Sequence, residues 1–190
     1  MMTYRPHICP FEALIPLVPR GARVLDVGCG GGLMLSLLAA SGRIQSGKGF
    51  DTNTSMIDLA TRVAEQHDLP LDYETRSVAD GFPAGHFDAI SIIDVMHHIP
   101  PSAQAVFLQQ AIEQLPPGGM LIYKDMCRQP SWRAAMNRLH DLVLTQQWIH
   151  YCPIDTIKQW AVEPGLELEL ERTYDRLWYG HELVVLSRPA

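Results

Sequence analysis

The sequence predicts an α/β fold: a doubly wound, mostly parallel seven-stranded sheet with an antiparallel C-terminal hairpin and a helical insertion after strand five. Three observations predict it. Short apolar runs alternate with helix-forming stretches through the first two thirds of the chain, which implies crossover connections and parallel strands. The run Val24-Leu25-Asp26-Val27-Gly28-Cys29-Gly30-Gly31-Gly32 reads as a buried strand ending in a bare-backbone turn that feeds a helix. Near the C-terminus two strand-like runs lie close together around a glycine turn, the pattern of a hairpin.

The elements follow in order. Phe11 to Val18, bracketed by Pro10 and Pro19, is a short amphipathic helix that caps the domain. Residues 23–27 are the first strand and 33–41 its helix. Gly47 to Phe50 is a second strand ending at Asp51. A helix runs from about Thr54 to His67, with Met56, Ala60 and Val63 on one face. Leu71 to Arg76 is a third strand, followed by a loop holding Asp80, and Phe87 to Ile93 a fourth. Pro100-Pro101-Ser102 opens a helix with Ser102 as N-cap, burying Phe107, Leu108, Ala111, Ile112 and Leu115. Pro116-Pro117-Gly118-Gly119 stops it, and Met120 to Tyr123 is the fifth strand. Ser131 to Trp148 and Ile154 to Ala161 are helices; Leu166 to Arg176 and Leu183 to Ser187 are strands joined through Trp178-Tyr179-Gly180-His181.

At 190 residues the chain suits a single domain, 1–190, with residues 1–20 as an N-terminal cap helix and 126–161 as a helical insertion. A net charge of −6 with no basic run argues against a nucleic-acid partner. The composition leaves monomer and homodimer open. No signal-like apolar region and no membrane-length apolar stretch stand in the sequence, which predicts a cytoplasmic protein. Cys9, Cys29, Cys127 and Cys152 are scattered without a C-x-x-C pair and read as reduced thiols, so no metal site is expected.

The glycine run points to a nucleotide-like ligand, because backbone N–H groups converge there at a helix N-terminus. A dinucleotide loop wants a third glycine where this chain has Leu33, counting from Gly28. The pattern Gly28-x-Gly30-x-Gly32 preceded by Asp26 instead resembles motif I of the class I S-adenosylmethionine (SAM) dependent methyltransferases. Phe87-Asp88-Ala89-Ile90-Ser91-Ile92-Ile93-Asp94-Val95-Met96-His97-His98-Ile99 is similar to that family's fourth motif, and the Pro116–Gly119 turn to the one before its fifth strand. The resemblance covers about residues 20–125 and extends to the rest by topology. It implies SAM as cofactor and S-adenosylhomocysteine (SAH) as product, with the 126–161 insertion roofing the substrate pocket.

Asp26, Gly28, Cys29 and Gly30 form the cofactor loop of this reading. Asp51, with Thr52 and Met56 after it, is placed to accept two ribose hydroxyls; a helix N-cap role is compatible with that. The resemblance assigns Asp80 to the adenine amino group, with Gly81 or Phe82 against the ring; a surface-turn aspartate before glycine is the other reading. Asp94, at the end of strand four, suits the cofactor's ammonium group through its carboxylate or its carbonyl. His98 is read as structural and His97 as a base facing substrate, with His140 and His150 as the other candidate bases. Tyr4, Tyr123, Asp125 and Trp132 are candidate substrate contacts; for Tyr123 and Asp125 a plain loop start is an equal reading.

Methyl transfer needs nucleophile, methyl and sulfur held in line and dry, and a hydroxyl acceptor also needs a base. Strand four ends Ile93-Asp94-Val95-Met96 and lacks the Asn-Pro-Pro-Tyr of amino-directed relatives, and no acidic trio suggests magnesium. The reading is therefore a SAM-dependent methyltransferase for a small organic acceptor, on oxygen before carbon or nitrogen. Its alternatives are a non-catalytic SAM-binding scaffold and an NAD-dependent oxidoreductase.

Overall fold

The computed structural model describes residues 9–126, 150–176 and 179–190. The chain forms α1 (Phe11–Leu14) with a following 3-10 turn, β1 (Ala22–Val27), α2 (Leu33–Ala40), β2 (Ile44–Asp51), α3 (Thr54–Gln66) and β3 (Leu71–Thr75). It continues through β4 (Ala89–Ile93), α4 (Pro101–Glu113), β5 (Met120–Met126), α5 (Ile154–Val162), β6 (Glu167–Arg176) and β7 (Tyr179–Ser187). The expected helix over 131–148, with Trp132 and His140, lies outside the described residues, as does Tyr4.

The strands form one seven-stranded sheet in the order β3-β2-β1-β4-β5-β7-β6. The first five pair in parallel, and β7 runs antiparallel to both β5 and β6. Period-two alternation sends each strand's side chains to two cores. Val24, Ala89, Ile93 and Ile122 pack with α1, α2 and α3 on one face. Leu25, Ile90, Ile92 and Leu121 pack with α4 and α5 on the other. Leu25, Ile90, Ile92 and Leu121 are fully buried, each worth about 1.5–3 kcal/mol against exposure. Helix α5 contributes Ile157 and Ala161 to the second core, so the described end of the 126–161 segment walls the fold's own interior.

Four local expectations change. Ser102 is not a cap: Pro100 is the N-cap residue, with no side-chain hydrogen bond, and Ser102 stands inside the helix. Proline's fixed φ sets the first turn without a capping hydroxyl. The core stripe of α3 is Ile57, Ala60 and Ala64, leaving Met56 and Val63 only partly buried. Strand β2 starts at Ile44, because Ala22 of β1 pairs with it. Tyr179, Gly180 and His181 belong to β7 rather than to a turn, since His181 pairs with Met126 and lengthens both strands.

Between β3 and β4 the crossover is a loop with a single 3-10 turn, Val78–Asp80. The sheet face beneath it is accordingly polar. Lys48 pairs there with Asp72 at 2.7 Å, and Arg76 with Glu74 at 2.7 Å.

Candidate functional site

Chain connections diverge between β1 and β4, so a crevice opens at the carboxyl ends of these strands, where open α/β sheets bind ligands. The glycine loop forms its floor. Gly28 has φ +65°, and a Cβ there would lie 2.6 Å from Val95 Cγ2. Gly32, at φ +72°, would bring a Cβ to 2.5 Å from Tyr73 Oη. Both positions need a bare backbone for conformation and for space. Tyr73 is the first site residue that the sequence reading missed. It rises from β3 under the loop, its hydroxyl donates to Gly32 O at 3.3 Å, and burial raises its pKa. Its register with Gly49 of β2 is set by the sheet and has no local signal.

Asp51 holds the loop from the end of β2. Its Oδ2 accepts from the Gly30 N–H and its Oδ1 from the Asn53 N–H, each at 2.9 Å. Each oxygen keeps acceptor capacity for a further hydroxyl. Asn53, not Asp51, caps α3, its side chain accepting from the Met56 N–H at 3.2 Å. Asp26 is buried, and Ser91 Oγ donates to its Oδ1 at 2.6 Å. A small cavity beside it is lined by Phe11, Gly28, Leu33, Met34 and Ile93. The Cys29 side chain lies in the first core, so the crevice meets this residue through its backbone.

Thr52 is exposed and Met56 half-buried at the start of α3. Asp80 is exposed, and its carboxylate closes a capping box on the Ser77 N–H at 3.1 Å. Gly81 has open space where a Cβ would stand. Phe82 packs edge-on against Phe50 and stacks on Phe107, at centroid distances of 5.8 and 5.9 Å. That commits Phe82 to the second core with part of its ring exposed.

At the end of β4 the geometry departs most from expectation. Asp94 adopts φ +58°, in the left-handed region. Its N–H donates to Lys124 O at 2.8 Å, and Lys124 Nζ donates to its Oδ1 at 2.6 Å. The Asp94 carboxylate is thus already paired with a fully buried lysine, leaving its carbonyl as the simpler group for the cofactor ammonium. Lys124 is a lone cation ending an apolar strand, a signal that was present in the sequence.

His97 and His98 differ in exposure. His97 is 3% exposed, while His98 is the exposed member, with ring centroids 4.1 Å apart. The reason is Asp125 at the end of β5. It contacts His97 Nδ1 through Oδ1 at 2.5 Å and accepts the His97 N–H through Oδ2 at 3.2 Å. Its Oδ1 also accepts from the Met126 N–H at 2.7 Å. Asp125 is therefore turned to His97 rather than outward to a substrate. The His98 pKa is lowered to about 4, by desolvation first and by His97 second.

Tyr123 is 1% exposed in the second core, and burial drives its hydroxyl pKa well above the ordinary value. His150 marks the chain's return to this edge. Its N–H donates to His97 O at 2.7 Å, and its carbonyl accepts from Gln104 Nε2 at 3.2 Å. Gln104 also donates to Met96 O and Ile99 O. It was missed although it falls at helical spacing with Phe107, Leu108 and Ala111.

A family profile described as "Methyltransferase domain" matches residues 8–171. Curated relatives called ubiquinone biosynthesis O-methyltransferase include one from Xanthomonas axonopodis pv. citri. It is 37% identical over 125 residues, 60% of this chain and 47% of that protein. One from Coxiella burnetii is 34% identical over 161 residues, 78% of this chain and 65% of that protein. The chain thus spans about half to two thirds of these relatives. Among solved structures, a chain from the complex of the Haloferax volcanii Trm112 methyltransferase activator with its partner superposes with TM-score 0.80 at 16% identity. That match covers 100% of this chain and 93% of the other, and it shows the fold.

Proposed function

The chain belongs to the class I SAM-dependent methyltransferase family, and from that premise we propose that it methylates a small organic acceptor on oxygen. SAM is the family's cofactor, and the residues present fit it. The Asp51 oxygens suit a ribose diol, the bare backbone at Gly28 and Gly32 leaves room for close approach, and the Asp94 carbonyl suits the ammonium group. Asp80, Gly81 and the free part of Phe82 stand nearest in sequence to the adenine role. When bound, SAM supplies an electrophilic methyl on a positively charged sulfur.

The single observation that carries the reading is a juxtaposition at one sheet edge. The diol-accepting carboxylate of Asp51, the glycine loop and a buried histidine held by Asp125 all stand at carboxyl ends of parallel strands. His97 takes the acceptor's hydroxyl proton, and its burial keeps water from competing. His150 lies beside it through the backbone bond to His97 O. The relatives' named activity supports oxygen as the target atom.

The test is a turnover assay with SAM and separate panels of phenols, alcohols and carboxylic acids, reading SAH. Turnover is expected in the phenol or alcohol panel, and His97→Gln should lower kcat by about 10²–10⁴ while leaving SAM affinity unchanged. SAM binding with no SAH from any panel would leave a non-catalytic binder. Binding of NAD in place of SAM would restore the oxidoreductase alternative.

A further inference from the structure

Resting on the reading that the Asp94 carbonyl receives the cofactor's ammonium group, we propose that Lys124 is the positioning residue of that subsite: it holds the Asp94 side chain and so fixes the left-handed turn that presents the carbonyl. Lys124 is fully buried. Alternation along β5 puts it on the face of Ile122. It pairs in register with Ile93 of β4 and Leu183 of β7, and all three neighbours belong to the first core. A lysine among such neighbours is costly without a carboxylate partner. Its Nζ donates to Asp94 Oδ1 at 2.6 Å, and the Asp94 side chain is 22% exposed.

Asp94 has a conformation that needs such a hold. Among the described residues only Asp68 and Asp94 have a positive φ without being glycine. Asp68 follows His67, the C-cap of α3, which is the ordinary place for a left-handed residue. Asp94, at φ +58°, instead leaves a strand, since β4 ends at Ile93. An aspartate tolerates this region without preferring it to extended backbone. Its N–H donates to Lys124 O at 2.8 Å, so one residue of β5 holds Asp94 by main chain and by side chain. The main-chain bond is open to any residue at 124; the side-chain bond is particular to lysine. On either side of Asp94 the chain meets the glycine loop: Val95 packs against Gly28, and Ile93 lines the small cavity with Gly28 and Asp26. The direction of this turn therefore decides how the Asp94 peptide meets a ligand in the crevice.

The experiment is calorimetric titration of the whole chain with SAH and with 5′-methylthioadenosine, which keeps the adenosine and the thioether but lacks the amino-acid part. It compares wild type, Lys124→Met and the double variant Lys124→Met with Asp94→Gly. Wild type should bind SAH the more tightly. Lys124→Met should lose roughly tenfold of that preference, with the affinity for 5′-methylthioadenosine retained. The double variant should recover most of it, because glycine takes positive φ without a side-chain hold and no charge is left buried alone. The double variant also decides the question if Lys124→Met alone does not fold. An unchanged preference in Lys124→Met, or equal losses for both ligands, would overturn the proposal, since a general structural role weakens the whole site. So would a folded double variant that lacks the preference, which would assign the ammonium to the Asp94 carboxylate instead. A wild type that binds both ligands alike would overturn this inference and leave the SAM site standing. One that binds neither would overturn the proposed function, and this inference with it.

Discussion

Gly28 and Val95 meet where the first and fourth strands end, and their fit shows how little room the crevice leaves. Gly28→Ala would force a side chain onto φ +65° and set its Cβ 2.6 Å from Val95 Cγ2. The expected cost is about 1–3 kcal/mol in chemical denaturation, with weaker SAM binding by calorimetry. Adding Val95→Ala should restore only part of it, since the second change removes the clash but not the strain. His98 gives a pH prediction of definite sign. Its pKa falls from 6.5 to about 4 in the folded chain. As pH drops from 6.5 toward 4, the unfolded chain binds a proton that the folded chain does not, so stability falls across that window. His98→Gln should flatten the acid limb of urea midpoints between pH 7 and 4. Equal slopes in the two proteins would exclude His98 as their source.

Among the elements, α4 does more than cover the second core. Its Gln104 donates to the carbonyls of Met96, Ile99 and His150 and so ties the turn carrying His97 to the returning chain. Gln104→Ala should cost about 1–3 kcal/mol, because the buried carbonyls lose their donor. Faster amide exchange is expected at residues 96–99. Normal protection there would mean that the turn is held from elsewhere. At the start of α3 the cap is Asn53, and Asn53→Ala should cost about 1 kcal/mol in the denaturation midpoint. Ser102→Ala should be near neutral, because Ser102 stands inside α4 and caps nothing.

For the whole molecule, ligand binding at the crevice should read out as stability. SAM or SAH at a hundredfold excess over its dissociation constant adds about 2.7 kcal/mol. For a chain of this size that is roughly 5–10 °C in a thermal melt. NAD should add nothing, and Asp51→Ala should shrink the shift, since Asp51 holds the Gly30 N–H and is proposed to accept the ribose diol. A full shift in the variant would remove Asp51 from the cofactor site. No helix among the described residues is long and apolar enough to cross a membrane.

What the sequence determined by itself was what depends on local pattern. Alternating apolar runs set the parallel strands, the glycine loop set the crevice, and paired short strands set the hairpin, because periodicity and turn chemistry act between near neighbours. Asp51 closes β2 and Asp94 directly follows β4, positions that a local pattern can mark, whereas Asp26 stands within β1 and His97 in the turn after β4. The tertiary structure alone decided which partner each one has. Lys124 reaches Asp94 and Asp125 reaches His97 only because β4 and β5 pair in one register. Tyr73 supports the glycine loop only because β3 lies beside β2. These partners stand about thirty to forty residues apart, at 30, 28 and 41 positions. No local rule carries that far, and burial against a neighbouring strand selects which polar group must be satisfied by which.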